Sequence, residues 1–131
     1  MRIGFIAHEA KKNLMQNFCI AYKNILSKND LYATGTTGRL IEEATNLSVH
    51  KYHAGSLGGI EQIGSQIEHN EMDLVIFLRD ANTSMSNEQD VDIIMRYCDI
   101  HNIPFASNLA SAELLIKSLD RGDLEWREMY K

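Results

Sequence analysis

Five short apolar runs alternate along the chain with segments whose apolar residues recur at helical spacing. Two consecutive strands with a helix between them lie parallel, because the helix must cross one face of the sheet to return the chain. The alternation therefore predicts an α/β fold, a single doubly wound domain (1–131) with a five-stranded parallel sheet and helices on both faces. The predicted strands are 3–7, 30–33, 47–50, 73–78 and 103–106, and the predicted helices are 10–27, 39–45, 60–69, 90–101 and 110–118.

Composition excludes several classes of protein. The 131 residues suffice for one core, and the formal net charge of −5 argues against a general nucleic-acid or membrane-surface binder, since either needs a basic face. Neither a signal peptide nor an apolar run of membrane-spanning length is present. Cys19 and Cys98 fall in helical patterns without C-x-x-C spacing, so we expect reduced core cysteines and a cytoplasmic protein.

Polar residues and glycines concentrate where the predicted strands end. In a parallel sheet these carboxyl ends share one edge, and ligands bind there. The sequence therefore predicts one shared pocket at this edge. The segments that reach it are His8-Glu9, Thr34 to Gly38, Tyr52 to Gly55, Arg79-Asp80 and Ser107-Asn108.

The second strand runs directly into a turn of threonines and glycines, Leu31-Tyr-Ala-Thr-Gly-Thr-Thr-Gly38, before the helix predicted from Arg39. Glycines permit a tight turn, free N–H groups at a helix start point outward, and the helix dipole favours negative charge there. Phosphate or carboxylate binding and a plain turn with Thr as N-cap are both compatible with this pattern. The turn is neither a Walker A motif nor a G-x-G-x-x-G fingerprint, so nucleotide binding is not indicated.

Four charged or titratable residues are candidates for the chemistry of the pocket. Lys12 lies one helical turn beyond His8 and could reach a bound phosphate, or be a solvated helix lysine. His8 could donate to a ligand oxygen or shuttle a proton, or be structural. Asp80 and Asp90 could be acid–base groups or orient His8; the alternatives are a turn-former and a helix N-cap. The other histidines show no ligand spacing, so no metal site is predicted, and no cofactor is expected.

Together these features resemble the methylglyoxal synthase family over nearly the whole chain. The resemblance is carried by Ala7-His8-Glu9 with Lys12, the Tyr32 to Gly38 run, Gly55-x-x-Gly58-Gly59, and Ile103-Pro104 followed by Asn108-x-Ala110. It implies a small doubly wound domain that assembles as a homohexamer. It also implies an enzyme that eliminates phosphate from dihydroxyacetone phosphate and leaves methylglyoxal, so the expected partner is a small phosphorylated substrate or phosphate.

The resemblance also assigns roles to residues. His8 would polarise the substrate, and Asp80 and Asp90 would support the site. The phosphate contacts would be Lys12, Thr34, Gly35, Thr36, Thr37 and Gly55.

The chain departs from the family at the catalytic positions. The family's base is an aspartate after the Gly-Gly pair, where this chain has Ile60, and the mobile-loop histidine is Asn87. Glu61 is the candidate replacement base, although one step along a helix turns a side chain by roughly 100°. Ala54 replaces a phosphate-loop serine, Glu9 replaces an aspartate, and Arg127 is a loose counterpart of a C-terminal arginine that reaches a neighbouring subunit's phosphate.

Three functions follow from this mixture. The first is a working synthase, which either uses Glu61 or turns over at a low rate. The second is a phosphate-ligand-binding sensor or regulatory domain without turnover, and the third is an inert subunit of a mixed oligomer. Trp126 and Tyr130 in the tail suit a subunit contact, or packing on their own domain.

Overall fold

The computed structural model describes residues 1–53, 58–82 and 88–130, and within these ranges the chain forms one parallel sheet. The strand order is β3-β2-β1-β4-β5, and all four neighbouring pairs are parallel. The chain builds outward from β1 to β3, then returns to place β4 on the other side of β1. The predicted fold class is confirmed, and the strand order reverses between β1 and β4. The strands are β1 (Arg2–Ala7), β2 (Asp30–Ala33), β3 (Val49–Lys51), β4 (Leu74–Leu78) and β5 (Phe105–Ala106).

Helices cover both faces of the sheet. Three of them run into an asparagine with positive φ, at Asn46, Asn70 and Asn102, a conformation that commonly ends helices. The helices are α1 (Lys12–Ala21), α2 (Lys23–Leu26), α3 (Gly35–Thr45), α4 (Gly59–Glu68), α5 (Glu88–His101) and α6 (Leu109–Asp120), with 3₁₀ turns at Glu9–Lys11 and Glu125–Tyr130. No helix in the described ranges is long and apolar enough to cross a bilayer.

The sheet separates two apolar cores, which explains the continuous apolar runs in its central strands. Alternate residues of β4 face opposite sides: Ile76 packs with α1, α3 and α6, whereas Val75 and Phe77 pack with α4 and α5. All five residues of β4 are buried. A strand covered on both faces has no solvent side, so its sequence shows no polar alternation.

The helix predicted from Arg39 begins four residues earlier, at Gly35. The predicted turn is therefore the first turn of α3, packed tightly against the sheet. A Cβ at Gly38 would lie 2.6 Å from Lys51 Cγ and 3.5 Å from Ala33 Cβ. The small residues thus let the start of α3 approach β2 and β3 closely.

Two other boundaries differ from the predictions. The helix predicted over 10–27 is a 3₁₀ turn followed by α1 and α2, which separate at Tyr22 (φ −108°, ψ 23°). The Tyr22 hydroxyl donates to Glu113 of α6 at 3.0 Å. The third strand begins at Val49 rather than Leu47, because the Leu47 amide donates to the Thr45 hydroxyl at 3.2 Å instead of joining the sheet.

Candidate functional site

The reversal of strand order creates a crevice where β1 and β4 end side by side. Ala7 pairs with Leu78 in the register, and the His8 amide donates to the Leu78 carbonyl at 3.1 Å. Beyond this pair, the segments that follow β1 and β4 separate, and His8 and Arg79 are their first residues. Open α/β sheets bind their ligands in such a crevice.

The His8 ring is fixed by the residues that follow β4. The backbone N–H of Asp80 donates to His8 Nδ1 at 2.9 Å, and the ring packs edge-to-face on Phe77 with centroids 5.3 Å apart. Nε2 is buried and has no hydrogen-bond partner within the described residues. Asp80 was predicted as a residue that could orient His8, and it contacts the ring through its backbone amide. One oxygen of the Asp80 carboxylate accepts from the Asn82 amide at 3.1 Å.

The surroundings of His8 favour its neutral form. Burial lowers the pKa of His8 below its ordinary value of 6.5, and the nearby positive charge of Arg79 lowers it further. The carboxylates of Asp80 and Asp90 act in the opposite direction without reversing the shift. Arg79 also pairs with Glu88 at 3.6 Å, which links the end of β4 to the start of α5.

Asp90 and Glu61 lie on the same side of the sheet edge as His8. Asp90 is the third residue of α5, so it is not the helix N-cap. Burial raises the pKa of Asp90, the negative charge of Glu61 raises it further, and His8 lowers it. Asp90 therefore interacts electrostatically with both Glu61 and His8.

The first turn of α4 separates an apolar side chain from a charged one. Ile60, at the position of the family's base, is partly buried and packs against the core formed with α4 and α5. Glu61 is exposed, and its Oε2 lies 3.9 Å from where a Cβ on Gly58 would be, so its carboxylate turns back toward the start of the helix. The carboxylate at the start of α4 thus belongs to residue 61, one residue after the position at which the resemblance places the base.

The start of α3 has the groups that an anion requires. Thr34 occupies the N-cap position, but its side chain makes no capping hydrogen bond. Its hydroxyl lies 3.5 Å from the Thr37 hydroxyl, and both residues are buried. The Gly35 amide donates to the His53 carbonyl at 3.1 Å, whereas the Thr36 and Thr37 amides have no acceptor within the described residues. Two amides, the threonine hydroxyls and the helix dipole can therefore act on an anion.

Lys12 is the first residue of α1, the helix that packs beside α3. Gln16 of α1 donates to the Leu40 carbonyl of α3 at 3.2 Å, and one turn earlier on each helix are Lys12 and Thr36. The Lys12 side chain is 17% exposed and pairs with Glu9 at 2.8 Å, while Glu9 is 89% exposed. An exposed partner of this kind is held weakly. Lys12 is thus not a freely solvated lysine.

Three positions named from the sequence lie outside the described residues: Ala54, Gly55 and Asn87. Within the described ranges, no group of three or more His, Cys, Asp or Glu side chains is arranged to hold a metal ion. His69 and His101 bond to backbone carbonyls on α4.

Arg127 lies at the amino end of β4, where its guanidinium is buried and engaged within its own domain, and its expected contact with a neighbouring subunit's phosphate stays a prediction. Its guanidinium is 2% exposed and pairs with buried Asp73 at 3.3 Å, at the amino end of β4. It also donates to the carbonyls of Met72, His101 and Asn102 and to the Asn70 side chain. Sequence reasoning missed this buried network around Arg127. Its only signal in the sequence was an arginine among the apolar anchors of the tail.

The chain is similar to known proteins over nearly its whole length. The family model described as MGS-like domain matches residues 15–107. A methylglyoxal synthase of Caldicellulosiruptor saccharolyticus is 63% identical over 129 residues, which cover 98% of this chain and 92% of that protein. A methylglyoxal synthase of Thermoanaerobacterium thermosaccharolyticum is 54% identical over 131 residues, covering 100% and 98%. The crystal structure of the methylglyoxal synthase from Elizabethkingia anophelis NUHP1 superposes with a TM-score of 0.81 at 36% identity, covering 88% of this chain and 76% of that one.

Proposed function

The chain belongs to the methylglyoxal synthase family, and on this premise we propose that it binds dihydroxyacetone phosphate and eliminates its phosphate to leave methylglyoxal. The phosphate would lie at the start of α3, held by Thr34, Gly35, Thr36 and Thr37 and by the Lys12 ammonium, with Gly55 as a further candidate contact. Two amides of α3 that have no acceptor in the described part of the chain, and the largely covered Lys12 at the start of the helix packed beside α3, support this placement.

The reaction requires a base, an oxyanion donor and a held leaving group. A base removes a proton from the hydroxymethyl carbon, and the electrons move onto the carbonyl oxygen to give an enediolate. The enediolate then loses its hydroxyl proton as the bond between carbon and the ester oxygen breaks, so phosphate leaves with that electron pair and an aldehyde forms. The resulting enolate takes a proton on its terminal carbon to become methylglyoxal. Holding the phosphate at α3 therefore assists both substrate binding and the departure of the leaving group.

Glu61 is our candidate for the base, because its carboxylate turns toward the start of α4, where the resemblance places the base. The charges of Glu61 and His8 both influence the pKa of Asp90, which supports a location of the three groups near one another. Asp90, with its raised pKa, is suited to return a proton, and Asp80 holds His8 in place. Ile60 has no group that can accept a proton.

Binding without turnover is the second candidate, and the packing of Ile60 favours it. An apolar residue committed to the core replaces the base that the family uses, so the phosphate half of the site could persist alone. Such a protein would act as a sensor or regulatory domain. It would bind the same phosphorylated compound and release no product.

One assay separates the two candidates. The full-length protein is incubated with dihydroxyacetone phosphate, methylglyoxal and inorganic phosphate are quantified, and thermal stabilisation by the same compound is recorded. Equal amounts of both products, together with saturable stabilisation, are expected for the enzyme. Stabilisation without product, combined with product formation by an Ile60→Asp variant, would identify the binding domain. Absence of both stabilisation and product would overturn both candidates.

We also propose a homohexamer that resides in the cytoplasm. Leu114, Met129 and Tyr130 are large apolar residues at least 70% exposed, which supports burial against other copies. Trp126 and Tyr130 contact each other edge-to-face, with centroids 6.0 Å apart. Cys19 and Cys98 are free and buried, as suits a reducing compartment.

A further inference from the structure

We propose that Gln62 is a positioning residue, which aligns the start of α3, where the phosphate is proposed to bind, with the start of α4, which carries Glu61. This inference rests on the proposed function, because it assigns a role within the same site. Two hydrogen bonds that pass through His53 join the two helix starts, and they carry the inference.

The side chain of Gln62 holds the chain just beyond β3. Its Oε1 accepts from the backbone N–H of His53, nine positions earlier in the chain, at 2.9 Å. A backbone N–H can only donate, so the contacting atom of the side-chain amide must be its oxygen. The backbone N–H of Gln62 donates to the Gly58 carbonyl at 3.1 Å, which closes the first turn of α4. Gln62 is therefore bonded both to its own helix and to the segment that follows β3.

His53 extends this contact to α3. Its carbonyl accepts from the Gly35 amide, the first N–H of α3, at 3.1 Å. The neighbouring Tyr52 amide donates to the Ala33 carbonyl at 2.9 Å, so the end of β3 is also fixed against the end of β2. A His53 carbonyl held in this way fixes the point at which α3 leaves the sheet.

The contact with His53 decides which amides of α3 are left for an anion. Because the Gly35 amide already has an acceptor, the donors available at this helix start are the amides of Thr36 and Thr37, which have no acceptor within the described residues. Any movement of His53 changes the position of Gly35 and therefore of the two amides that follow it. The orientation of the phosphate donors thus depends on the bond between Gln62 and His53.

The same bond restrains the start of α4. Gly58 is the N-cap of this helix, and it has no side chain that could cap the first turn. Ile60 packs in the core on one side of the turn, and the Gln62 side chain reaches His53 on another. With both contacts made, the first turn cannot rotate freely, so the direction of the backbone that carries Glu61 is set.

Calorimetric titration with inorganic phosphate tests the effect on α3. Gln62→Met keeps the length of the side chain but removes the acceptor, and Glu68→Met on the exposed far end of α4 is the control. Loss of one hydrogen bond should weaken the phosphate affinity about 2- to 10-fold in Gln62→Met and leave the control unchanged. Equal affinities of Gln62→Met and the native protein would overturn the proposal. A native protein that binds no phosphate would overturn it together with the proposed function.

Amide hydrogen exchange of the full-length protein tests the connection without any need for turnover. In Gln62→Met the His53 amide loses its acceptor, and we expect faster exchange at both His53 and Gly35. Gln62→Glu retains an oxygen that can accept from His53, so both amides should recover their protection. Faster exchange at His53 alone, or at neither amide, would overturn the proposal, because the disturbance would then not reach α3.

Steady-state kinetics with dihydroxyacetone phosphate separate positioning from simple stabilisation. We expect Gln62→Met to raise KM and to lower kcat by roughly 10- to 100-fold, because both halves of the site are displaced, and Gln62→Glu to recover most of the kcat. A lower melting temperature with unchanged kcat and KM would show a merely structural bond and overturn the proposal. An inactive native protein whose phosphate affinity and Gly35 exchange respond as expected would support the positioning role and reject only the proposed turnover.

Discussion

Two neighbouring residues at the start of α4 have different environments, one packed in the core and one exposed. Ile60 contributes its side chain to the core, and Glu61 presents a carboxylate toward Gly58 and interacts with Asp90. Neighbouring helical residues differ by roughly 100° in direction, so a base that moves by one residue needs different neighbours. The charges of Glu61 and His8 both influence the pKa of Asp90. The proposed site therefore depends on these three groups together.

At the scale of one residue, Arg79 adds to the effect of burial on the pKa of His8. Its guanidinium lowers the pKa of His8, so Arg79→Gln should raise that pKa. The acid side of the pH–rate profile should then move to higher pH, because protonated His8 appears earlier as the pH falls. An NMR titration of His8 measures the shift directly, with Arg96→Gln on the exposed face of α5 as the control. An unchanged or lower pKa in Arg79→Gln would refute this account.

The element that shapes the anion site is α3, whose first turn is made of small residues. Gly38 allows the helix to approach Lys51 and Ala33, and the buried threonines bring their hydroxyls to its start. Glycine and threonine have low helix propensity, so the local sequence predicted a turn where tertiary packing forms a helix. The sequence predicted an anion site in this segment, but it could not reveal that the segment is the first turn of a helix.

At this scale, Lys12→Met should weaken phosphate binding at the start of α3. A charge-assisted hydrogen bond contributes about 1.5–3 kcal/mol, so affinity should fall roughly 10- to 150-fold. Calorimetric titration with inorganic phosphate measures this change. The exposed Lys23 of α2 provides the control, since Lys23→Met removes the same charge beyond the far end of α1. Equal affinities for the native protein and Lys12→Met would remove Lys12 from the site.

Strand and helix types were predictable across the molecule, whereas contacts that join distant segments were not. Apolar patterning identified all five strands of the sheet, since each contributes buried residues to the cores on its faces. The amide of Asp80 leaves no side-chain signature, so its contact with His8 could not be read from the sequence. The partners of Arg127 come from α5 and from the turn before β4, and they meet only in the fold.

At the scale of the whole molecule, Arg127 ties segments together at the amino ends of the strands, opposite the crevice at their carboxyl ends. Its guanidinium joins the C-terminal 3₁₀ turn to Asp73 and to the segments that flank α4 and α5. Asp73 also accepts from the Arg2 amide at 2.9 Å, so the first strand is tied to the same network. The buried network of Arg127 and the proposed site thus lie at opposite ends of the strands.

At this scale, Arg127→Met should reduce the free energy of unfolding by about 3–5 kcal/mol, because the buried carboxylate of Asp73 would lose its charged partner. Urea denaturation of both proteins measures the loss. Arg121→Met, which breaks the exposed pair with Asp123, should change the stability by no more than about 0.5 kcal/mol. A similarly small effect of Arg127→Met would mean that the buried network around Arg127 contributes little to the free energy of unfolding.

The most direct test of the account is the rate of phosphate release from dihydroxyacetone phosphate by the native protein and by Glu61→Gln. Loss of a positioned base should lower kcat by about 10²–10⁴-fold while leaving phosphate affinity unchanged. Glu68→Gln, at the exposed far end of α4, should match the native rate. A Glu61→Gln variant as fast as the native protein would contradict the claim that Glu61 is the base.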